Sequence, residues 1–163
     1  MESSSRKVDH LFRAYTPEDL QGCLEVFDSN IPEFFSVEER EDFIEFLRRL
    51  PGQYGVVVDS SGRIVGCGGV AKSRTNERGA NLTWGMIHRS LHGRGIGRVL
   101  TEKRIEWIHS MPDVDVVAID TSHLTEGFYE KFGFRTVKRI PNGYREGLDR
   151  CDMEWNVRPG RQV

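Results

Sequence analysis

A cluster of glycines between an apolar run and a helical stretch constrains this chain more than any other feature. Residues 82–87 have the composition of a strand, residues 98–111 repeat apolar side chains at helical spacing, and His-Gly-Arg-Gly-Ile-Gly lies between them at 92–97. Glycine permits positive φ and close approach of a ligand to the backbone. The first turn of a helix carries N–H groups that have no intrahelical partner. A strand, a glycine turn and a helix in this order predict an anion site, with phosphate or pyrophosphate as the expected anion.

The spacing of the glycines excludes two common phosphate motifs. Gly93, Gly95 and Gly97 alternate, whereas the dinucleotide-binding fingerprint needs a longer second gap and an acidic residue about twenty positions later. A P-loop needs Lys followed by Ser or Thr directly after the glycines, and Arg98 stands there instead. A tight turn with a purely structural role remains an alternative at this point.

Composition predicts a soluble globular protein of one domain. The chain has 163 residues, of which 37% are hydrophobic and 29% charged. Residues 16–46 hold ten acids against one base, which makes nucleic acid an unfavourable partner. The same asymmetry fits an anionic cofactor and a cationic acceptor, although solvated helix faces explain the acids equally well. With no signal sequence, no apolar run long enough to cross a membrane and three widely spaced cysteines, the expected setting is the cytoplasm, with buried free thiols and no metal.

Periodicity and turn residues predict the element order β-α-α-β-β-β-α-β-α-β-β in an α+β fold. The domain is expected to span 10–157, between flexible tails at 1–9 and 158–163. Strands are predicted at 10–15, 54–59, 63–71, 81–88, 114–119, 134–140 and 151–157. Helices are predicted at 16–30, 36–50, 98–111 and 121–132, and residues 141–150 are expected to form a turn-rich loop.

A second stretch, Phe-Tyr-Glu-Lys-Phe-Gly-Phe at 128–134, lies one strand and one helix after the glycine turn. Together the two stretches resemble the GNAT superfamily of N-acetyltransferases. The Gln/Arg-x-x-Gly-x-Gly/Ala signature of that family aligns with 92–97, and its Tyr-Glu-Lys-x-Gly-Phe signature aligns with 128–134. The resemblance implies a GNAT-like single domain, with a mixed, mostly antiparallel twisted sheet of about six to seven strands and four flanking helices. Strands 81–88 and 114–119 are expected to splay apart.

The resemblance also implies that acetyl-CoA is the co-substrate. Backbone groups around the glycine turn would bind its pyrophosphate, and the edge of the preceding strand would pair with its pantetheine amides. The expected cofactor-binding residues are Met86, Ile87, His88, His92, Gly93, Arg94, Gly95, Ile96, Gly97, Arg98, Ser122, Phe128 and Tyr129. Three positions depart from the family pattern. His92 replaces Gln or Arg, Ser122 replaces an Asn, and Thr125 replaces an Ala.

The expected reaction is direct acetyl transfer to the primary amine of a small molecule. Tyr129 occupies the position of the family's general acid and would protonate the departing thiolate. The general base stays undetermined among Asp120, His88, Glu33 and a water relay. Acetylation of a protein N-terminus or lysine, and CoA binding without turnover, are the alternatives.

The acceptor is expected near the connection between the first two helices and the 142–147 loop. Phe34 and Phe35 beside Glu33 would form an apolar and acidic surface, which favours a cationic amine. Arg145 argues the other way, since an exposed arginine can bind a carboxylate. The family also leaves a homodimer open.

Overall fold

The computed structural model of this protein describes residues 10–158. Within them the order of strands and helices is the one that periodicity predicts. The elements are β1 (Leu11–Ala14), α1 (Leu20–Ser29), α2 (Glu39–Arg49), β2 (Gln53–Val58), β3 (Ile64–Lys72), β4 (Gly79–Ile87), α3 (Ile96–His109), β5 (Val116–Ser122), α4 (Glu126–Glu130), β6 (Arg135–Arg145) and β7 (Leu148–Asn156). The tail predicted at 1–9 and residues 159–163 of the predicted C-terminal tail lie outside the described residues.

The strands form one seven-stranded sheet in the order β1-β2-β3-β4-β5-β7-β6. Strands β1 and β2 pair antiparallel, as do β5 with β7 and β6 with β7. Strands β4 and β5 pair parallel, with Gly79 opposite Val116 and Asn81 opposite Ala118. Their register ends there, although β4 continues to Ile87 and β5 to Ser122. The predicted mixed α+β sheet is therefore observed, and β4 and β5 pair over three residues on each strand.

The chain divides into two compact units, and the division falls within β3, β4 and α3. The first unit holds the described residues up to Gly69 together with Trp84–Ile105. It packs α1 and α2 on one apolar cluster and the start of α3 on another. The first cluster includes the fully buried Phe27 and Phe43, and the second joins Ile96 and Leu100 to Val57.

The second unit consists of Val70–Thr83 and the described residues from Glu106 onward. Its apolar cluster joins Ile108 at the end of α3 to Val117 on β5, Tyr129 on α4, and Cys151 and Met153 on β7. Alternate residues of β7 therefore point into this core, which leaves Arg150, Asp152 and Glu154 on the other face of the strand.

Local hydrogen bonds explain where the first two helices begin. The Asp19 carboxylate accepts from the Thr16 backbone N–H at 2.8 Å, and Pro17 opens a short 3-10 turn that leads into α1. The Ser36 backbone N–H donates to the Glu39 carboxylate at 2.8 Å, which is half of the predicted capping box. The predicted signals are thus present, but the α-helices begin at Leu20 and Glu39, later than the predicted starts at 16 and 36.

The largest difference from the predicted elements lies near the C-terminus. Residues 141–150, expected to form a loop, instead extend β6 to Arg145 and begin β7 at Leu148. The register shifts between Ile140 and Arg145, and Asn142 has a positive φ of 54°. An edge strand with such an irregularity tolerates Pro141 and Gly143, the residues that had indicated a loop.

The fourth helix is also shorter than predicted. Thr121 and Ser122, expected to cap a helix over 121–132, belong to β5, and Thr125 is the cap residue of α4. The Thr125 hydroxyl donates to the Ser122 carbonyl at 3.2 Å. Pairing of β5 with β7 as far as Ser122 opposite Arg150 keeps these residues extended.

Two predictions from composition concern features that the structure describes. Cys23, Cys67 and Cys151 are free and buried, as predicted. Within residues 10–158, no helix is long and apolar enough to span a bilayer.

Candidate functional site

The glycine turn of the first unit connects a short 3-10 turn after β4 to α3. Gly93 and Gly95 adopt φ values of 79° and 84°, in the left-handed region that favours glycine. A Cβ placed on either residue would meet no atom within 4 Å. Positive φ rather than crowding within the protein therefore requires these glycines, and the space above them is open to a ligand.

The N–H groups of the turn are available to that ligand. The first backbone bond into α3 runs from Val99 N–H to Gly95 C=O at 3.3 Å. Among residues 10–158, none accepts a hydrogen bond from the N–H groups of residues 93–98. A series of unpaired N–H groups at a helix start fits the oxygens of a pyrophosphate.

The arginines of the turn are exposed, and one of them is paired. Arg98 donates through Nε to the Glu102 carboxylate at 2.8 Å, one helical turn further on. Arg94 lies exposed at the centre of the turn. The backbone, and not the Arg98 side chain, is therefore the main feature that could hold an anion here.

His92, which replaces the Gln or Arg of the family signature, forms contacts with the end of β4 and with Phe34. Its Nε2 lies 2.8 Å from the carbonyl of Ile87, and its ring meets Phe34 edge to face with 5.0 Å between centroids. Asn30 donates to the same carbonyl at 3.0 Å. The His92 side chain thus ties the turn to the end of β4.

The expected pantetheine segment lies at the end of β4. Met86 is buried, and Ile87 and His88 are half-buried. His88 N–H donates to Val65 C=O at 2.8 Å, and the Ile87 carbonyl is already occupied as described above. A pantetheine chain at this segment would therefore bind the backbone groups that these hydrogen bonds do not use.

His88 is engaged on both sides of its ring. Nδ1 accepts from Ser90 N–H at 3.2 Å and caps the 3-10 turn, while Nε2 lies 3.3 Å from an Arg63 nitrogen. Burial lowers the pKa of the imidazole, and the Arg63 charge lowers it further. Both effects favour the neutral form of the imidazole, and both of its nitrogens already have polar neighbours.

The acceptor residues predicted between the first two helices lie together in the first unit. Glu33 forms an ion pair with Arg89 at 2.5 Å, and the Arg89 guanidinium carbon lies 5.2 Å from the centre of the Phe34 ring. Phe35 stacks on Phe27, with 4.9 Å between centroids and 28° between planes. Arg89 compensates the Glu33 carboxylate, which weakens the argument that Glu33 would select a cationic amine.

In the second unit, Tyr129 lies on α4 and is 7% exposed. Its ring meets Phe128 and Phe134 edge to face, at 5.1 and 5.8 Å between centroids. Ser122, at the end of β5, is also 7% exposed. Tyr129 is therefore packed among aromatic rings on α4.

Asp120 lies on β5 opposite Asp152 of β7, on the polar face of the second unit. Its carboxylate accepts a hydrogen bond from the Tyr144 hydroxyl at 2.7 Å. Arg150 donates to Asp152 at 2.8 Å, and the charge of Asp120 contributes to the raised pKa of Arg150. The sequence prediction included Tyr144 in the 142–147 acceptor loop but missed its contact with Asp120, because no local pattern links an aspartate to a tyrosine 24 residues later; it missed Arg150 altogether.

Arg145 is exposed and opposite Leu148, at the end of the β6–β7 hairpin. Within the described residues, no three His, Cys, Asp or Glu side chains come together as metal ligands would.

Comparison with known proteins identifies the family. A family model described as an acetyltransferase (GNAT) domain matches residues 13–157. A search of curated proteins found no match.

Three solved structures share the fold. A GCN5-related N-acetyltransferase from Kribbella flavida is 18% identical, with a TM-score of 0.74, over 91% of this chain and 98% of the other. The ribosomal-protein-S18-alanine N-acetyltransferase from Escherichia coli is 14% identical, with a TM-score of 0.76, over 94% and 98%. The NatC complex bound to Gag peptide and CoA contains a chain that is 17% identical, with a TM-score of 0.74, over 92% and 99%. The match over residues 13–157 shows that this chain belongs to the GNAT family of acetyltransferases.

Proposed function

We propose that this protein transfers the acetyl group of acetyl-CoA directly to the primary amine of a small molecule. The observation that carries the proposal is the glycine turn, in which Gly93 and Gly95 have positive φ and open space above them. The unpaired N–H groups at residues 93–98 would hold the pyrophosphate. Backbone groups of Met86, Ile87 and His88 that remain unused would hold the pantetheine.

The transfer requires two proton movements in addition to the exchange of bonds. The amine nitrogen forms a bond to the acetyl carbon, the C–S bond breaks, the nitrogen loses one proton and the thiolate gains one. In this proposal the Tyr129 phenol supplies the proton to the thiolate. A backbone N–H at residue 86 or 87 would stabilise the oxyanion that forms during the attack.

Among the candidates for the general base, the contacts of their side chains favour Asp120. The Glu33 carboxylate is paired with Arg89, and both nitrogens of His88 have polar neighbours. Glu33 and His88 are therefore less well placed than Asp120 to take a proton. Asp120 is exposed and oriented by Tyr144. Its carboxylate can accept a proton from an amine or from a water that relays it.

The aromatic side chains of the first unit support a compact acceptor. Phe35 and Trp84 are half-buried with 6.1 Å between their ring centroids, and Arg89 lies over Phe34. Apolar ring faces beside the exposed Glu33–Arg89 ion pair suit a small amine with an apolar body. The three buried cysteines support a reducing, cytoplasmic setting for the reaction.

A second candidate is acetylation of a protein N-terminus. Two of the similar structures favour it, because one protein is named for ribosomal-protein alanine and another was solved with a peptide.

Thiol release from acetyl-CoA with a panel of acceptors tests the proposal. The panel should contain aliphatic and aromatic small amines, lysine, and peptides with a free N-terminus. We expect an aromatic or apolar primary amine to raise thiol release well above hydrolysis. A response to peptides alone would select the second candidate, and CoA binding without a response to any amine would favour a protein without turnover.

A further inference from the structure

Arg104 is the largest of the fully buried side chains, with 1% of its surface exposed. It lies on α3 in the first unit, beside two clusters of buried apolar side chains. A guanidinium stays protonated in proteins. Burying its charge costs free energy unless hydrogen bonds or an opposite charge compensate it. An apolar side chain of similar length would fill the same volume at a lower cost.

The guanidinium lies against the backbone of β4 at Gly85. A Cβ on Gly85 would lie 2.5 Å from Nη1 and 2.8 Å from Nη2 of Arg104. The preceding residue, Trp84, has a positive φ of 38°, and the Tyr54 hydroxyl donates to its carbonyl at 2.7 Å. Tyr54 therefore holds the backbone of β4 at Trp84, and the Arg104 guanidinium packs on it at Gly85, directly before the segment that would bind pantetheine.

The same guanidinium is connected to the glycine turn. Nη2 of Arg104 donates to the Thr101 hydroxyl at 3.3 Å, and that hydroxyl donates to the Gly97 carbonyl at 2.8 Å. Thr101 is 1% exposed. Gly97, Thr101 and Arg104 follow each other along one face of α3, at spacings of four and three residues.

We propose that Arg104 is a positioning residue that couples the two parts of the donor site, the glycine turn through Thr101 and the β4 segment through Gly85. The inference rests on the proposed function, because it assumes that one molecule of acetyl-CoA occupies both parts. Filling the turn would order the buried link and so prepare β4 for the pantetheine chain. The nucleotide half of CoA should therefore strengthen the binding of the pantetheine half.

Calorimetric titration of the full-length protein with the two halves of CoA tests this coupling. Pantetheine is titrated with and without saturating 3′-phosphoadenosine 5′-diphosphate. For the wild type we expect the nucleotide to strengthen pantetheine binding by at least about fivefold, the lower end of ordinary coupling between sites. Thr101→Val and Arg104→Met should reduce this factor to about one, with each half still binding alone.

Conservative variants separate coupling from a general loss of structure. Thr101→Ser keeps the hydroxyl and Arg104→Lys keeps the charge, so both should retain most of the factor. In steady state, Thr101→Val should raise KM for acetyl-CoA by about the same factor and change kcat less. If Arg104→Met does not fold, Thr101→Val decides the question.

The inference is overturned if the halves bind the wild type independently, or if Thr101→Val retains the wild-type factor. Intact CoA is titrated in parallel. If CoA itself does not bind, the proposed function fails and this inference fails with it, whereas binding of CoA without coupling of its halves rejects this inference alone.

Discussion

Gly95 allows the pyrophosphate assignment to be tested by one substitution. In Gly95→Asp, the left-handed φ of 84° adds a backbone strain of about 1–2 kcal/mol, and the carboxylate enters the space above the turn. A negative charge about 4 Å from a phosphate costs about 4 kcal/mol at an effective dielectric constant of about 20. We therefore expect CoA affinity, measured by calorimetry, to fall by roughly 100-fold or more.

Gly62→Asp is the matched control for that substitution. Gly62 has a φ of 88° and, like Gly95, open space at its Cβ position, but it lies after β2 in the turn that leads into β3. It should lose similar stability and keep its CoA affinity. Equal affinities of the two variants for CoA would reject the assignment of the turn.

Tyr129→Phe tests the general acid while preserving the aromatic packing of α4. The ring contacts with Phe128 and Phe134 remain, so the free energy of unfolding should change little. Loss of a general acid typically lowers the rate by about 100-fold, and we expect that decrease in kcat at neutral pH. Tyr15→Phe serves as the control. Turnover that equals the wild type at every pH would remove Tyr129 from the mechanism.

Asp120 and Tyr144 form a pair whose two members should have unequal effects on turnover. Asp120→Asn removes the base and should lower kcat by about 100-fold. Tyr144→Phe removes the hydrogen bond of 2.7 Å that orients the carboxylate and leaves the carboxylate in place, so its effect on kcat should be about tenfold. Steady-state kinetics with the best amine of the panel measures both. A Tyr144→Phe variant that loses more activity than Asp120→Asn would contradict this division of roles.

Some properties of individual residues could be predicted from the sequence, and others could not. The positive φ values of Gly93 and Gly95 could be predicted, because the spacing of glycines before a helix is a local signal. The positive φ of Trp84 and the burial of Arg104 could not, because both depend on contacts between β4, β2 and α3. A tryptophan in a strand and an arginine in a helix carry no local sign of either role.

At the scale of elements, the start of α1 depends on an ion pair that should give the protein a measurable acid response. Arg13 contacts the Asp19 carboxylate at 2.8 and 2.9 Å, and this hydrogen bonding lowers the pKa of Asp19 below its usual 3.8. A carboxyl whose pKa falls on folding stabilises the native state above the unfolded value, and the contribution is lost as the pH falls through the folded pKa.

Asp19→Asn should therefore be less stable than the wild type by about 1 kcal/mol at pH 7, a modest value because Arg13 is partly exposed. The difference should shrink as the pH falls below about 3.8. Urea unfolding across this range measures it. Asp28→Asn, which breaks the more exposed pair with Arg40, should cost less at pH 7. A deficit of Asp19→Asn that is the same at pH 3 and pH 7 would contradict this explanation.

The elements themselves were largely predictable, and the exceptions have a common cause. Capping residues and periodicity located α1, α2 and α3, because these signals are local. The hairpin of β6 and β7 was missed because Pro141 and Gly143 indicate a loop, whereas pairing with β7 keeps the segment extended. Pairing between strands likewise assigned Thr121 and Ser122 to β5 instead of a helix.

At the scale of the whole molecule, the chain belongs to the GNAT family. Membership of this family indicates which acetyl donor the protein uses more strongly than which amine accepts the acetyl group. The glycine turn follows from a motif of six residues, whereas no motif marks the contact of Arg89 with Phe34 in the first unit or that of Tyr144 with Asp120 in the second. Fold similarity alone does not separate small amines from proteins, since the similar structures include proteins named for protein substrates. Acceptor choice therefore has to be measured on the intact protein.

The most direct measurement is transfer of a labelled acetyl group in competition. The protein is given acetyl-CoA with a trideuterated acetyl group and an equal mixture of small primary amines and peptides with free N-termini, and the products are identified by mass spectrometry. The proposed function predicts that the label appears as an amide on a small amine, and that Gly95→Asp abolishes this product. Label recovered only as free acetate, or only on the peptides, would contradict it.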